Sequence, residues 1–155
     1  MFIFVVAKNI YNGAMNYEPI NYEALLRTHQ LKATPQRIGI LNAMHTHGHI
    51  TIDTLYSDIK KEFSAISLAT LYKNIHQMMD ATLVTEVKIA QQKTLYEITK
   101  AAHAHLACDR CGSVYDIAID ATPLVAQQSP LSQHRIESAQ ITFTGVCQGC
   151  LTKGA

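Results

Sequence analysis

The stretch Ser67-Leu68-Ala69-Thr70-Leu71-Tyr72-Lys73-Asn74-Ile75-His76-Gln77-Met78-Met79, followed by Leu83 to Ile98, carries the change of period that decides the fold. Ser67 offers the hydroxyl of a helix N-cap. After it, Leu68, Leu71, Ile75, Met78 and Met79 recur as one helical stripe, expected to be buried. From Leu83 the period becomes two: Leu83, Thr85, Val87 and Ile89 alternate with Val84, Glu86 and Lys88. The polar Ala90-Gln91-Gln92 turn leads to a return strand from Thr94 to Ile98.

Upstream, Thr51 opens a helix with Leu55, Ile59 and Phe63 four apart on one face. Before it, Thr34-Pro35 is a helix start: a hydroxyl cap, then a proline at the position where a missing N–H costs nothing. That helix runs through Ile38, Leu41 and Met44 and stops at Gly48. Tyr22, Leu25 and Leu26 mark a short first helix. Short helices followed by a hairpin give the order of a winged helix-turn-helix.

The pattern changes again near residues 99–102. Strand-like segments at 105–108 and 113–119 flank Cys108-x-x-Cys111-Gly112. Thr122-Pro123 opens a helix that Pro130 is expected to end or kink. Ala139, Ile141 and Phe143 then alternate in a last strand that leads to Cys147. The fold class is therefore α+β. Its expected division is an extension at 1–20, a winged helix at 21–99 and a small α/β domain at 100–155.

Composition narrows the function. The 155 residues carry 13 Lys+Arg against 12 Asp+Glu, a formal charge of +1, which argues against a non-specific coat for nucleic acid. No apolar run is long enough for a membrane span. The apolar opening Met1 to Ala7 is ended by Lys8 and lacks a preceding basic flank, so it makes a poor export signal. The expected compartment is the cytoplasm, with reduced thiols. Translation is expected to start at Met15, leaving residues 1–14 out of the protein.

All four cysteines fall into two pairs, Cys108-x-x-Cys111 and Cys147-x-x-Cys150. Four thiolates make a closed tetrahedral site for structural zinc. A redox pair would need a strand–turn–helix start in a thioredoxin-like unit, and one pair here lies five residues from the C-terminus. His103 and His105, two apart on a strand, share a face, and Cys108 has the opposite parity. A regular strand therefore assigns thiolates and imidazoles to different ions, with Glu97 and Asp116 as acidic candidates for the second. His49, taken alone, suits a solvated or N-capping role better than a ligand's. His29, His45, His47, His76 and His134 carry no assignment.

Four motifs in register resemble the ferric uptake regulator (Fur) family: Leu31-Lys32-Ala33-Thr34-Pro35-Gln36-Arg37; Ile66 to Asn74; His103-x-His105-x-x-Cys108-x-x-Cys111-Gly112; and Cys147-x-x-Cys150. The resemblance runs from about Leu25 to Cys150. It implies a homodimeric, metal-dependent repressor: a winged helix on double-stranded operator DNA, a C-terminal dimerisation domain, and a regulatory ion between the two. The positions matching the regulatory site are His49, Glu97, His103, His105 and Asp116, an N/O set suited to Fe(II) or Mn(II). The matching cysteines hold structural Zn(II). Asp116 resembles the peroxide-responsive branch, and Glu97 the iron-responsive one. Ala102-His103-Ala104-His105 lacks the longer histidine–aspartate run of many members, so an additional ion site is not expected. The absence of a spare cysteine argues against zinc-uptake control.

Opposite the apolar stripe of the Ser67 helix lie Thr70, Lys73 and Gln77, with Tyr72 at the edge. These are candidates for reading the major groove, with Lys32 and Arg37 for the DNA backbone. Residues 21–79 hold six basic side chains against four acidic ones, so affinity should depend on dimer geometry more than on charge. Two readings from other classes stand beside this one: a non-haem metalloenzyme built on the histidine–carboxylate set, and a structural zinc adaptor. A site with five protein ligands leaves little room for substrate, so no enzymatic activity is expected. Intact mass spectrometry of the native protein should give a mass starting at Met15, and a mass including Met1 contradicts that start.

Overall fold

The computed structural model describes residues 20–137 and 139–153, so the expectation about Met15 lies outside it. The chain forms two compact units, the first ending at Lys100 and the second beginning at Ala101.

The first unit is built from α1 (Tyr22–Thr28), α2 (Pro35–His47), β1 (Ile50–Thr51), α3 (Ile52–Glu62), α4 (Leu68–Asp80), β2 (Val84–Val87) and β3 (Leu95–Ile98). Each helix starts on a side-chain cap. Asn21, Thr34, Thr51 and Ser67 accept from the backbone N–H groups of Ala24, Arg37, Thr54 and Thr70. Such caps satisfy donors that a helix start leaves open, each worth about 1 kcal/mol. Gly48, at φ 73°, ends α2 in a conformation that a side chain resists. At Gly39 an added Cβ would lie 3.0 Å from the Phe63 ring, so the missing side chain lets α2 and the end of α3 approach.

One core unites these elements. Leu26 from α1, Ile40, Leu41 and Met44 from α2, Leu55 and Ile59 from α3, and Leu71, Ile75 and Met78 from α4 are all buried. The expected stripe on α4 holds except at its start. Leu68 is 43% exposed because it lies in the first turn, beyond the reach of the core, while Met79 packs at the margin. The wing is a three-stranded antiparallel sheet in the order β1-β3-β2, with Ile50 opposite Tyr96 and Thr85 opposite Glu97. The two-residue β1 was not expected, since so short a strand leaves no alternation to read. Nor is burial in β2 a strict alternation. Leu83 and Val84 are both buried, because Leu83 belongs to the turn leaving α4, where its N–H bonds Met78 O.

The second unit comprises β4 (His103–Cys108), β5 (Val114–Ala118), α5 (Thr122–Ser132), β6 (Thr142–Gly145) and α6 (Gln148–Thr152). Its sheet has the order β5-β4-β6, with β4 antiparallel to β5 and parallel to β6. Pro130 lies inside the last turn of α5, and the helix ends two residues later at Ser132, capped by Gln133, whose φ is 57°. No residue of α5 is buried.

Replacing Leu71, fully buried on α4, by alanine should cost about 2–5 kcal/mol through lost contacts and a residual cavity. Urea unfolding followed by circular dichroism measures it, and a change below about 1 kcal/mol is incompatible with this core.

Candidate metal centres and nucleic-acid-binding helix

The thiols converge because two chain reversals meet at one end of the second sheet. β4 ends at Cys108, whose N–H bonds Ser113 O, while Gly112 at φ 70° turns the chain back after Cys111. Asp109 N–H bonds Gly145 O, bringing the end of β6 alongside, and Cys147 then leads into α6. One ligand atom from each of the four cysteines lies within 4.8 Å of every other. Cys111 Sγ and Cys147 Sγ are 3.7 Å apart. A tetrahedron with metal–sulfur bonds of about 2.3 Å has edges of about 3.8 Å, so this spacing fits Zn(II). It is far longer than a disulfide, and all four thiols are free.

The protein prepares these sulfurs unequally. The Cys147 N–H, 3.3 Å from Cys108 Sγ, is the main cause pulling the Cys108 thiol down to about 6. The Tyr115 hydroxyl lowers Cys147 in the same way. Cys150, facing the sulfurs of Cys147 and Cys111, is pushed up to about 12. Crowded thiolates repel one another, and a divalent cation removes that penalty by deprotonating the whole set.

The nitrogen and oxygen donors lie in both units. In the first, His49 follows the Gly48 cap just before β1, and the pairing of β1 with β3 fixes it near Glu97. His49 Nε2 is 3.3 Å from Glu97 Oε2, with side chains 9% and 3% exposed. Lys100 Nζ lies 2.8 Å from the same oxygen. In the second unit, His103 and His105 share a face of β4, and His105 stands opposite Asp116 on β5. Their Nε2 atoms are 3.1 Å apart, and Asp116 Oδ1 lies 3.6 and 3.9 Å from them. His103 Nδ1 is 2.8 Å from Ala101 O. A hydrogen bond there holds the proton on Nδ1 and leaves Nε2 as the ligand atom. Bonds of about 2.1 Å place neighbouring ligands of an octahedral ion about 3.0 Å apart, which the imidazole pair matches. The donor sets thus fit two kinds of ion: zinc on the thiolates, and Fe(II) or Mn(II) on imidazole and carboxylate.

On α4 the expected reading residues separate. Tyr72 and Lys73 are exposed, with Tyr72 stacked on His76 at 6.3 Å between ring centroids. Thr70 is half-buried, and its hydroxyl lies 2.8 Å from Ser67 Oγ in the cap. Arg37 departs from the expectation of a backbone contact. It is 8% exposed, and its guanidinium donates to Asn74 Oδ1 and Lys32 O, both at 3.1 Å, and to Gln77 Oε1. The fork therefore ties α4 to α2 and to the loop before it, and engages the carbonyl oxygen of Gln77. Lys32 itself is exposed. The roles of Asn74 and Lys100 were missed from the sequence. Asn74 had no signal beyond its position on the helix, and Lys100 lies outside every motif.

Removing the zinc should release the C-terminal segment without unfolding the first unit. Chelation, or the substitution Cys111→Ser, is expected to expose residues 147–153 to protease while the melting of the winged helix is retained. Metal analysis showing no zinc in the untreated protein would contradict this site.

The sequence profile of the ferric uptake regulator family matches residues 28–144. The peroxide-responsive repressor PerR of Staphylococcus epidermidis is 29% identical over 136 residues, covering 84% of this chain and 89% of that protein. The peroxide stress regulator of Campylobacter jejuni superposes with a TM-score of 0.66 at 34% identity, covering 84% of this chain and all of that one. The ferric uptake regulator of Vibrio cholerae gives 0.63 at 26% identity, covering 82% and 100%. With its motifs, its two kinds of donor set and these relatives in agreement, this chain is a member of the ferric uptake regulator family of metal-responsive regulators.

Proposed function

We propose that this protein is a metal-dependent, peroxide-responsive repressor that binds operator DNA as a homodimer in the cytoplasm. The observation that carries the reading is the imidazole–carboxylate set, present beside a separate thiolate site. His49 and Glu97 from the first unit, with His103, His105 and Asp116 from the second, are proposed to share one Fe(II) or Mn(II). An ion held by both units favours one dimer shape over others, and only differential affinity for that shape can drive a switch.

The DNA contacts are proposed on the exposed side of α4. Lys73 suits a phosphate or guanine, Tyr72 a thymine methyl, and Lys32 the DNA backbone. Thr70, Gln77 and Arg37 contribute by fixing the helix, with the Gln77 amide NH2 directed to a base edge. The second unit exposes Tyr115, Leu124, Leu131, Phe143 and Leu151, an apolar population suited to association with a second copy. Among the described residues, no helix is long and apolar enough to cross a membrane. A set of five protein ligands suits sensing better than catalysis, which needs an open position.

The peroxide-responsive reading is supported by the resemblance to the Staphylococcus epidermidis repressor and the Campylobacter jejuni regulator, and by Asp116. Glu97 favours the second reading, an iron-responsive regulator of uptake. One experiment separates them: gel shift on the protein's own promoter with Mn(II), then with Fe(II) and hydrogen peroxide. We expect metal-dependent binding, loss of binding with Fe(II) and peroxide, and one added oxygen on the peptide carrying His49 or His103. Binding that survives peroxide with both peptides unmodified supports the iron-responsive reading, and binding indifferent to metal rejects both.

A further inference from the structure

Lys100 belongs to neither donor set, yet it sits on one of the proposed ligands. Its ammonium is 2.8 Å from Glu97 Oε2, the oxygen that His49 Nε2 approaches at 3.3 Å. The side chain is only 12% exposed, although lysine is among the residues least often withdrawn from water. The carboxylate it meets is 3% exposed, so neither charge has much solvent to fall back on.

We propose that Lys100 is an internal cation that competes with the regulatory ion for Glu97 and so sets the loading threshold of the site, high enough that Fe(II) and Mn(II) bind while Mg(II) is left out. This rests on the reading of Glu97 as a ligand given above. A carboxylate buried to this degree needs positive charge beside it whether or not metal is bound. Without the ion, Lys100 supplies that charge, which keeps the wing strand β3 stable in the metal-free protein. When a divalent ion takes the same oxygen, the ammonium must give way, because two cations at one carboxylate oxygen repel. The flexible four-carbon stem lets the charge move without moving the backbone.

Binding is therefore weaker than the bare donor set would give. An ion that gains strongly from imidazole nitrogen, as Fe(II) and Mn(II) do, displaces the ammonium. Mg(II), which prefers oxygen and loses its water reluctantly, does not. Lys100 thus sets the threshold without touching the ion, while the preference for Fe(II) and Mn(II) over Mg(II) belongs to the imidazoles.

The test is calorimetric titration of Mn(II) and Mg(II) into the zinc-loaded full-length protein, with Lys100→Gln, Lys100→Met and Lys100→Arg compared with wild type. Removing the charge should tighten Mn(II) binding about tenfold or more and make Mg(II) binding measurable. It should also lower the melting temperature of the protein without Mn(II), but not that of the Mn(II)-loaded form. Lys100→Arg, which keeps a cation at the carboxylate, should not tighten Mn(II) binding. If wild type takes up Mn(II) but both neutral variants bind it equally or more weakly, the competition is wrong and the ligand assignment stands. If wild type takes up no Mn(II) beyond its zinc, the ligand assignment fails and this inference with it.

Discussion

Glu97 is a carboxylate almost wholly withdrawn from water on the central strand of the wing, and the rest of the site follows from that. Burying a lone charge there is prohibitive unless opposite charge accompanies it. The fold meets the demand with Lys100 at the end of the first unit, while His49, just before the two-residue strand β1, lies against the same oxygen. A position that must always be matched by a cation is also one at which a divalent ion can be sensed. If Glu97 is the ligand proposed above, the stability of the wing and the affinity for metal depend on the same oxygen.

The two kinds of donor divide the work chemically. Four thiolates form a soft, closed site whose ion fastens the turn after β4 to the chain after β6 within a single unit. Imidazole and carboxylate form a harder set, suited to an ion that can be gained and lost as conditions change. Separation of the two on β4 follows from strand geometry. His103 and His105 point to one face and Cys108 to the other, so one strand can present both donor sets without mixing them.

Much of this was legible in the sequence, and the reason is locality. Thr34, Thr51 and Ser67 announce helix starts because caps act within four residues, and Cys-x-x-Cys announces zinc because two ligands lie in one turn. What escaped depends on contacts between distant residues. β1 exists only because Ile50 meets Tyr96, and a two-residue strand has no period of its own. Arg37 looked like a cation for DNA because nothing nearby in sequence shows Asn74 and Gln77 waiting for its guanidinium. Leu68 matched the apolar stripe of α4, but it lies in the first turn, where the core has ended. Lys100 stood in no motif, and only the fold shows which carboxylate it meets.

The central claim is that ligands from both units hold one ion, and the direct measurement is the Mn(II) stoichiometry of the zinc-loaded protein. Wild type should bind one Mn(II) per chain in addition to zinc. His49→Ala and His103→Ala, each altering only one unit, should both lose that ion, with zinc content unchanged. If either variant keeps the wild-type stoichiometry and affinity, the ion is held within one unit and the proposed coupling of metal to dimer shape is wrong.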